Sequence, residues 1–365
     1  MKYIELFAGI GGFRYGLEQA GEFVCVYANE WNKYAAQVYE KNYEKPDTRD
    51  IREVKEIPDH DLLVGGFPCQ SFSIAGKRRG FEDTRGTLFF EIARILKAKK
   101  PRLFLLENVK GLLSHDSGST FKTIISTLTE LGYDCQWQVL NSKDFGVPQN
   151  RERVFIIGHI RGTSRPKVFP ITRTNPKALK VRNEVGRVIV RKYPVNIKLL
   201  QSELKRRKMT MSKIAKELKE PKTKVEHWFR TDGSFSIPEP QVWLRLKELI
   251  GIETDVLDKS MLEFEIRDNK YDMSNRVYEK EGVAPTLTTP TGGHQHSAID
   301  DGFTVRRLTP TECERLQGFP DGWTEKGIDK DGKTVTISDT QRYKVLGNAV
   351  TTNVITAIGE RLLTS

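Results

Sequence analysis

The sequence predicts an α/β fold, a doubly wound and mostly parallel sheet accompanied by a second, smaller domain. Apolar runs of strand length alternate with helical patterns through residues 1–160, which is typical of a parallel sheet covered by helices on both faces. The chain has 365 residues, more than the roughly 150 of an average domain. No apolar run approaches the roughly 18 residues of a membrane span. We therefore expect a cytoplasmic protein without membrane contact.

The predicted elements follow one another in a regular order. Strands are expected at 2–7, 23–27, 61–64, 103–106 and 154–158, and helices at 13–19, 88–97 and 121–131. Glycines between the first strand and the first helix predict a tight turn with exposed amides. Ligands of such sheets bind beyond the carboxyl ends of the strands, so the loops after the strands are the candidate site.

The loop after the second strand carries a ligand-binding pair. Glu30 stands about 20 residues beyond the glycine turn, where an acidic side chain can accept hydrogen bonds from ribose hydroxyls. Trp31 beside it can pack on an adenine ring. The glycine spacing is not the G-x-G-x-x-G pattern of dinucleotide-binding folds, which disfavours NAD and FAD.

One cysteine of four stands in a strand-end loop. Cys69 follows Gly66, Phe67 and Pro68, and we interpret it as a nucleophile. The other three fall within or beside strand and helix patterns and are interpreted as small buried hydrophobic residues: Cys25, Cys135 and Cys313. The wide spacing of the four excludes a CxxC zinc site and disfavours a disulfide framework. No metal site is predicted.

Two further loops carry charged side chains. Glu107 ends the fourth strand and is either a helix cap or a general acid whose pKa burial raises. Arg151 and Arg153 alternate before the last strand, so both guanidinium groups are expected on one face.

Together these residues resemble the cytosine-C5 DNA methyltransferases of bacteria and phages. The N-terminal motifs are Phe7-Ala8-Gly9-Ile10-Gly11-Gly12-Phe13, Asn29-Glu30-Trp31, Gly66-Phe67-Pro68-Cys69-Gln70-Ser71-Phe72-Ser73, Glu107-Asn108-Val109 and Gln149-Asn150-Arg151-Glu152-Arg153. The C-terminal motifs are Arg307-Leu308-Thr309-Pro310, Glu312-Cys313, Gln317-Gly318-Phe319-Pro320 and Gly347-Asn348-Ala349-Val350. The resemblance covers residues 1–160 and 283–362 and implies a Rossmann-like methyltransferase domain.

The resemblance implies covalent catalysis. Cys69 matches the thiolate that adds to carbon 6 of cytosine and makes carbon 5 nucleophilic. Glu107 matches the residue that holds or protonates ring nitrogen 3. Arg153 matches the residue that contacts the exocyclic oxygen of the base, and Arg151 is expected to orient the loop and a phosphate.

The resemblance also implies S-adenosyl-L-methionine as the methyl donor and a flipped-out cytosine in duplex DNA as the acceptor. Eleven residues match the cofactor site: Phe7, Gly9, Ile10, Gly12, Glu30, Trp31, Asp50, Ile51, Pro68, Leu88 and Asn348. The basic loop 71–85 is expected to close over the DNA. The DNA contacts predicted near the flipped base are Gln70, Ser73, Lys77, Arg78, Arg79 and Thr286.

The middle of the chain matches no catalytic motif and is strongly basic. Residues 191–230 contain 13 Lys and Arg against 4 Asp and Glu, while the whole chain has a net charge of +11. Helical patterns at 197–208, 212–219, 222–230 and 240–250 resemble the helix-turn-helix of repressor-like proteins. Six side chains are then expected to face outward on the recognition helix: Lys222, Thr223, Lys224, Glu226, His227 and Arg230. The predicted DNA contacts among them are Lys222, Lys224, His227 and Arg230. A solvated basic surface is the alternative.

The domains predicted from these patterns are a catalytic, cofactor-binding domain at 1–165 and a target-recognition domain at 166–300. Its helix-turn-helix-like segment is 197–252, and residues 301–365 return to the catalytic domain. We expect a monomeric, nucleoid-associated bacterial enzyme, and a restriction endonuclease acting on the same site is a candidate partner. Two alternatives remain at this point, an RNA (tRNA) cytosine-C5 methyltransferase and a catalytically inactive DNA-binding regulator.

Overall fold

The computed structural model describes residues 1–67, 88–163, 167–172, 187–191, 196–230, 238, 240–252, 257–258, 264–268, 276–279, 283–287, 298–300 and 305–364. The chain divides into two compact units. The larger unit contains Met1–Arg182, Glu279–Pro290 and Arg306–Ser365, and the smaller contains Asn183–Tyr278 and Thr291–Val305. The larger unit thus also includes 166–182 and 279–290, which the sequence assigned to the recognition domain. Among the described residues, no helix is both long and apolar enough to cross a bilayer.

The larger unit is built on a six-stranded sheet. Its first four strands in the chain are β1 (Lys2–Leu6), β2 (Val24–Asn29), β3 (Leu62–Gly66) and β4 (Leu103–Val109), and the sheet is completed by β5 (Tyr133–Asn141) and β7 (Glu152–Ile160). The spatial order is β2-β1-β3-β4-β7-β5. The first four strands are mutually parallel, and β7 runs antiparallel between β4 and β5. The carboxyl ends of β1 to β4 therefore meet at one edge.

Helices cover both faces of this sheet, as a doubly wound fold requires. On one face lie α1 (Gly12–Ala20) and a C-terminal helix, Thr352–Leu363, whose apolar side chains join a core with alternate residues of β1, β3 and β4. On the other face lie α3 (Leu88–Lys99) and α4 (Ser119–Glu130), which pack on the remaining alternate residues. The predicted mostly parallel α/β fold is confirmed.

Smaller elements complete the larger unit. The helices are α2 (Lys33–Asn42), which begins at Asn32, and, near the C-terminus, Pro310–Leu316 and Asp339–Asn348. A two-residue strand β6 (Gln149–Asn150) pairs in parallel with Ala284–Pro285, and Lys326–Ile328 forms a hairpin with Thr334–Thr336. The sequence pattern predicted neither β5 nor α2 as an element.

The described residues of the smaller unit include the helices α5 (Ile197–Arg206), α6 (Met211–Leu218), α7 (Lys222–Trp228) and α8 (Pro240–Ile250). They agree with the predicted helices to within about two residues at each end. Trp228 and Trp243 are fully buried in an apolar core that side chains of all four helices share. A five-stranded sheet has the order Val305–Arg307, Ala298–Asp300, Arg276–Glu279, Arg187–Arg191, Phe264–Asp268.

Candidate active site

The loop after β1 is held in a conformation that exposes its amides. Phe7 and Gly9 both have positive φ, 55° and 57°, and α1 begins after Gly11 at φ 85°. The Ala8 amide donates to the carbonyl of Asn29 at 3.0 Å, which fixes the start of the loop to the end of β2. Gly9 has open space where a side chain would begin. The loop can therefore admit a ligand against its backbone.

Glu30 connects this loop with the end of β2. One carboxylate oxygen accepts a hydrogen bond from the Gly9 amide and the other from the Asn32 amide, both at 2.7 Å. Burial raises the pKa of Glu30, and the two amide donors partly oppose this shift. Each oxygen of a carboxylate can accept a second hydrogen bond, so Glu30 can hold both hydroxyls of a ribose.

The segment after α2 is bound to the same edge of the sheet. The Asn29 side-chain amide donates to the carbonyls of Asp47 and Arg49 at 2.9 and 3.0 Å. The next residue, Asp50, is ion-paired with Arg52 at 2.5 Å, which lowers the pKa of Asp50 to about 2. Ile51 is buried. The predicted adenine-edge positions are thus a charged carboxylate beside an apolar side chain.

The remaining described cofactor positions differ in exposure. Trp31 presents 68% of its surface to solvent although it follows the buried Glu30. Leu88 is half-buried at the first position of α3, and Asn348 is exposed at the end of the helix Asp339–Asn348. An exposed indole at a strand end is available to stack on a planar ring.

Glu107 and Arg153 form an ion pair at the end of β4. The Arg153 Nε lies 3.0 Å from Glu107 Oε1, and about seven-eighths of each side chain is buried (14% and 13% exposed). The two residues lie on neighbouring antiparallel strands, Glu107 on β4 and Arg153 on β7, where Val109 is the register partner of Arg153. Burial raises the pKa of Glu107, while the charges of Arg153 and Arg151 oppose the shift. This carboxyl is therefore suited to hold a proton above the usual pH range of a glutamate.

The end of β3 lies directly beside this pair. Gly66 is the register partner of Glu107, and a methyl group on Gly66 would stand 3.0 Å from Glu107 Oε2. The Asn108 side-chain amide donates to the carbonyl of Phe67 at 2.8 Å. Glycine at 66 thus leaves room for the carboxyl, and Asn108 fixes the backbone that leads towards the predicted nucleophile.

Several predicted site residues lie outside the described part of the chain: Pro68, Cys69, Gln70, Ser73, Lys77, Arg78 and Arg79. The described cysteines are Cys25, Cys135 and Cys313, and none of them forms a disulfide. Burial raises the pKa of each of these three thiols to about 12. They are consequently protonated at neutral pH, as expected of structural cysteines.

Arg151 is placed differently from Arg153. Its guanidinium is buried and donates to the carbonyls of Leu287, Gly347 and Ala349 at 2.7 to 3.0 Å. Burial and the charge of Arg153 lower the pKa of Arg151. The sequence grouped Arg151 with the catalytic residues and a phosphate, but its contacts favour a positioning role, because all three partners are backbone groups of the protein.

Gln149 and Thr286 make the neighbouring contacts. Gln149 donates to the Leu316 carbonyl at 2.7 Å and accepts from the Leu287 amide at 3.1 Å. The Thr286 hydroxyl, predicted to contact DNA, donates to the carbonyl of Asn150 at 2.7 Å. The sequence did not identify Asn108 and Gln149 as functional. Both residues stand in the motifs that contain Glu107 and Arg153, and this position is the sequence signal that could have identified them.

The predicted recognition helix α7 carries exposed cations. Three residues connect it to α6, and the first of them, Lys219, has a φ of 57°. Lys224 is ion-paired with Glu220 at 2.9 Å, and Lys222 with Glu226 at 3.5 Å. His227 and Arg230 are exposed, with 3.4 Å between Nε2 and Nη1.

Comparison with known proteins identifies relatives over nearly the whole chain. The sequence profile of the C-5 cytosine-specific DNA methylases matches residues 1–364. Type II methyltransferase M.HhaI of Haemophilus parahaemolyticus is 36% identical, over 97% of this chain and 92% of that protein. Type II methyltransferase M.NgoBI of Neisseria gonorrhoeae is 39% identical, over 98% of this chain and 91% of that protein.

Solved structures share the fold at lower identity. The Dnmt2 methyltransferase of S. pombe superposes with a TM-score of 0.57 at 17% identity, covering 100% of this chain and 98% of that one. The methyltransferase EhMeth of Entamoeba histolytica gives a TM-score of 0.57 at 19% identity, with coverage of 100% and 98%.

Proposed function

Because the chain belongs to the C-5 cytosine-specific DNA methylase family, we propose that the loops after β1 to β4 form its methyl-transfer site. The chain is a DNA cytosine-C5 methyltransferase, and its relatives named above are Type II methyltransferases. The family profile over residues 1–364 favours DNA over the RNA alternative. The observation that carries the assignment of the site is the buried Glu107–Arg153 pair beside the end of β3.

The proposed chemistry begins with Cys69, which follows Phe67 by two residues. Its thiolate adds to carbon 6 of cytosine, and the electron pair of the 5,6 double bond moves towards ring nitrogen 3. Glu107 gives nitrogen 3 a proton, so that no negative charge accumulates on the ring. Arg153 holds the exocyclic oxygen and keeps Glu107 in position through the 3.0 Å contact.

The residues around Gly9 and Glu30 fit S-adenosylmethionine. Glu30 has a free acceptor position on each oxygen beyond its two amide bonds, and Gly9 offers open backbone. Trp31 presents an exposed indole for the adenine ring. S-adenosylmethionine supplies an electrophilic methyl group at this site. Once carbon 5 carries the methyl group, a water molecule acting as base would take the proton of carbon 5, the bond to Cys69 would break to regenerate the thiolate, and the proton on nitrogen 3 would return to Glu107.

The other cofactor positions extend the same proposal. Asp50 and Ile51 would receive the edge of the adenine ring. Leu88 would add an apolar contact and Asn348 an exposed amide. The charge and apolar character of Asp50 and Ile51 support this assignment, because adenine presents a polar amino edge and a flat apolar face.

We further propose that α6 and α7 bind duplex DNA. The described residues 196–230 carry 11 Lys and Arg against 4 Asp and Glu, and such a surface attracts the phosphate backbone. In this proposal Lys222 and Lys224 contact phosphates, whereas His227 and Arg230 approach base edges. A restriction endonuclease that cuts the same unmethylated sequence is the partner expected of a Type II methyltransferase.

The test begins with bisulfite sequencing of a plasmid from cells that express the protein, which gives the methylated sequence. A duplex with 5-fluorocytosine at that position is then incubated with protein and S-adenosylmethionine. Wild type should form an adduct that persists in denaturant, because fluorine cannot leave carbon 5 as a proton does. Cys69→Ala should form none, while Cys135→Ser, which alters a half-buried cysteine of β5, should retain it. Methylation by Cys69→Ala would overturn the proposal.

A further inference from the structure

A tryptophan far along the chain contacts the loop after β1. The indole Nε1 of Trp323 donates a hydrogen bond to the carbonyl of Ile10 at 2.9 Å. Trp323 is half-buried, and no step of the chemistry above uses it. Its contact falls on the loop that carries Gly9, whose amide binds Glu30.

Both ends of one peptide group in this loop are held by hydrogen bonds, one of them from Trp323. The Ile10 carbonyl and the Gly11 amide belong to the same planar unit. The carbonyl accepts from Trp323, and the amide donates to the carbonyl of Ala8 at 2.9 Å. Rotation of this peptide group would break both hydrogen bonds. Trp323 therefore fixes an orientation that the glycines would otherwise leave free.

The indole ring is itself packed in a cluster of aromatic rings. Tyr15 and Tyr43 meet it edge to face at centroid distances of 5.1 and 5.7 Å, and Phe319 lies at 5.3 Å. Tyr43 also lies against Gly11, where a side chain would be only 2.6 Å from its ring. The rings of α1, of the chain after α2 and of the C-terminal region thus enclose the loop from several directions.

The backbone beside Trp323 is fixed independently of the ring. Glu314 is fully buried and accepts hydrogen bonds from the amides of Gly322 and Thr324, both at 2.7 Å. Arg342 bonds to the same carboxylate at 3.1 Å. The side-chain amide of Asn42 donates to the Trp323 carbonyl at 3.2 Å. The turn is thereby held at both flanks of Trp323.

We propose that Trp323 is a positioning residue for the cofactor, which sets the affinity for S-adenosylmethionine by holding the Ile10–Gly11 peptide. The proposal rests on the assignment of the cofactor to the loop with Gly9 and Glu30. Trp323 acts through the loop and not on the reacting atoms. Its loss should therefore weaken cofactor binding and leave the rate at saturating cofactor nearly unchanged.

The test is Trp323→Phe, which keeps an aromatic ring against Tyr15 and Tyr43 but removes the N–H donor. The matched control is Trp137→Phe, because Trp137 packs on Phe121 at the opposite edge of the sheet from β2. The Kd of S-adenosylhomocysteine, by titration calorimetry, and the KM for S-adenosylmethionine should each rise about three- to tenfold in Trp323→Phe, as expected for one hydrogen bond. The kcat should stay within about twofold, and the control should match wild type.

Unchanged Kd and KM in a folded Trp323→Phe variant would overturn the proposal, as would a fall in kcat without a change in KM. If this variant does not fold, Asn42→Ala decides the question, because it loosens the turn while retaining the indole. A rise in the KM of Asn42→Ala, smaller than the rise expected for Trp323→Phe, supports the proposal, and an unchanged KM overturns it. Glu30→Gln tests the assignment of the cofactor site separately from the role of Trp323. If Glu30→Gln also leaves the Kd of S-adenosylhomocysteine unchanged, the assignment of the cofactor to the loop with Gly9 and Glu30 is wrong.

Discussion

The strand-end loops of the larger unit and the surface of α6 and α7 both carry charges to which we assign a function in the proposal above, but they hold them in different ways. Glu107 and Arg153 are largely buried and lie in contact with each other, beside a third charge, Arg151, that backbone carbonyls hold. Lys222 and Lys224 are exposed, and each is paired with a glutamate one helical turn away. The buried charges are therefore held in one fixed geometry, whereas the exposed lysines can exchange their glutamate partners for others.

This difference matches the two tasks. Charge that develops in a transition state is stabilised best by groups already fixed in place, since no reorganisation is then needed. Phosphate contacts gain affinity from released counterions, and exposed lysines can leave a weak intrahelical partner at little cost. The comparison therefore predicts that substitutions among the buried charges cause large losses of activity or stability. Substitutions on the surface of α7 should cause small, salt-dependent losses of DNA affinity.

The largest effect is expected from Glu107→Gln. The amide keeps the size of the side chain but cannot transfer a proton, so the single-turnover rate should fall by about 10²–10⁴. Because burial raises the pKa of Glu107, the wild-type rate should decline as the pH rises through that elevated pKa, and this limb should vanish in the variant. Glu152→Gln is the control, since Glu152 pairs with the exposed Lys110. An unchanged rate for Glu107→Gln would make Glu107 a structural residue only.

A loss of stability together with activity is expected from Arg151→Lys. Lysine cannot reach Leu287, Gly347 and Ala349 at once, so buried carbonyls lose charged donors and the free energy of unfolding should fall by about 2–4 kcal/mol. Urea denaturation measures this change. Arg49→Lys is the comparison, because Arg49 is exposed beside Asp47 and should have little effect on unfolding. Equal stabilities of the two variants would contradict the role given to Arg151.

The smallest effects are expected on α7. Lys224→Ala should weaken binding to all duplexes alike and reduce the salt dependence by about one unit of log–log slope. Arg230→Ala should instead reduce the preference for the target sequence, by about 1–3 kcal/mol if it contacts a base edge. Lys41→Ala, in the last turn of α2, serves as the control. Fluorescence anisotropy over a salt series distinguishes the cases, and wild-type behaviour of both variants would remove α7 and the residues directly after it from the DNA surface.

Local sequence patterns predicted the elements whose residues bury one regular face. The strands β3 and β4 begin with apolar runs, β1 is mostly apolar apart from Lys2 and Glu5, and the amphipathic helices α5 to α8 show clear spacing. We did not predict β5, although its apolar residues from Tyr133 to Val139 alternate with the polar Asp134, Gln136 and Gln138, which is the period of a half-exposed strand at the edge of a sheet. The sequence missed α2 because polar and small residues dominate a helix that tertiary contacts and the Asn32 cap stabilise.

The motifs predicted which residues gather at the strand ends but not how they are held. Glu107 and Arg153 were expected near one site, yet their direct contact depends on antiparallel pairing of β4 with β7. The contacts of Arg151 with Ala349 and of Trp323 with Ile10 join residues 198 and 313 positions apart in the chain. No local pattern encodes such contacts, because they exist only after the sheet and the C-terminal helices have packed.

Under the proposal that the smaller unit binds the DNA target, the division of the chain also determines how new specificities could be built. The smaller unit consists of two separate pieces, Asn183–Tyr278 and Thr291–Val305, and the stretch Glu279–Pro290 between them belongs to the larger unit. That stretch contains Leu287, whose amide and carbonyl are bound by Gln149 and Arg151. A chimaera that transplants both pieces from a relative can keep the host's own Leu287. A single exchange of 183–305 replaces this anchor as well, so the donor sequence must supply a matching one.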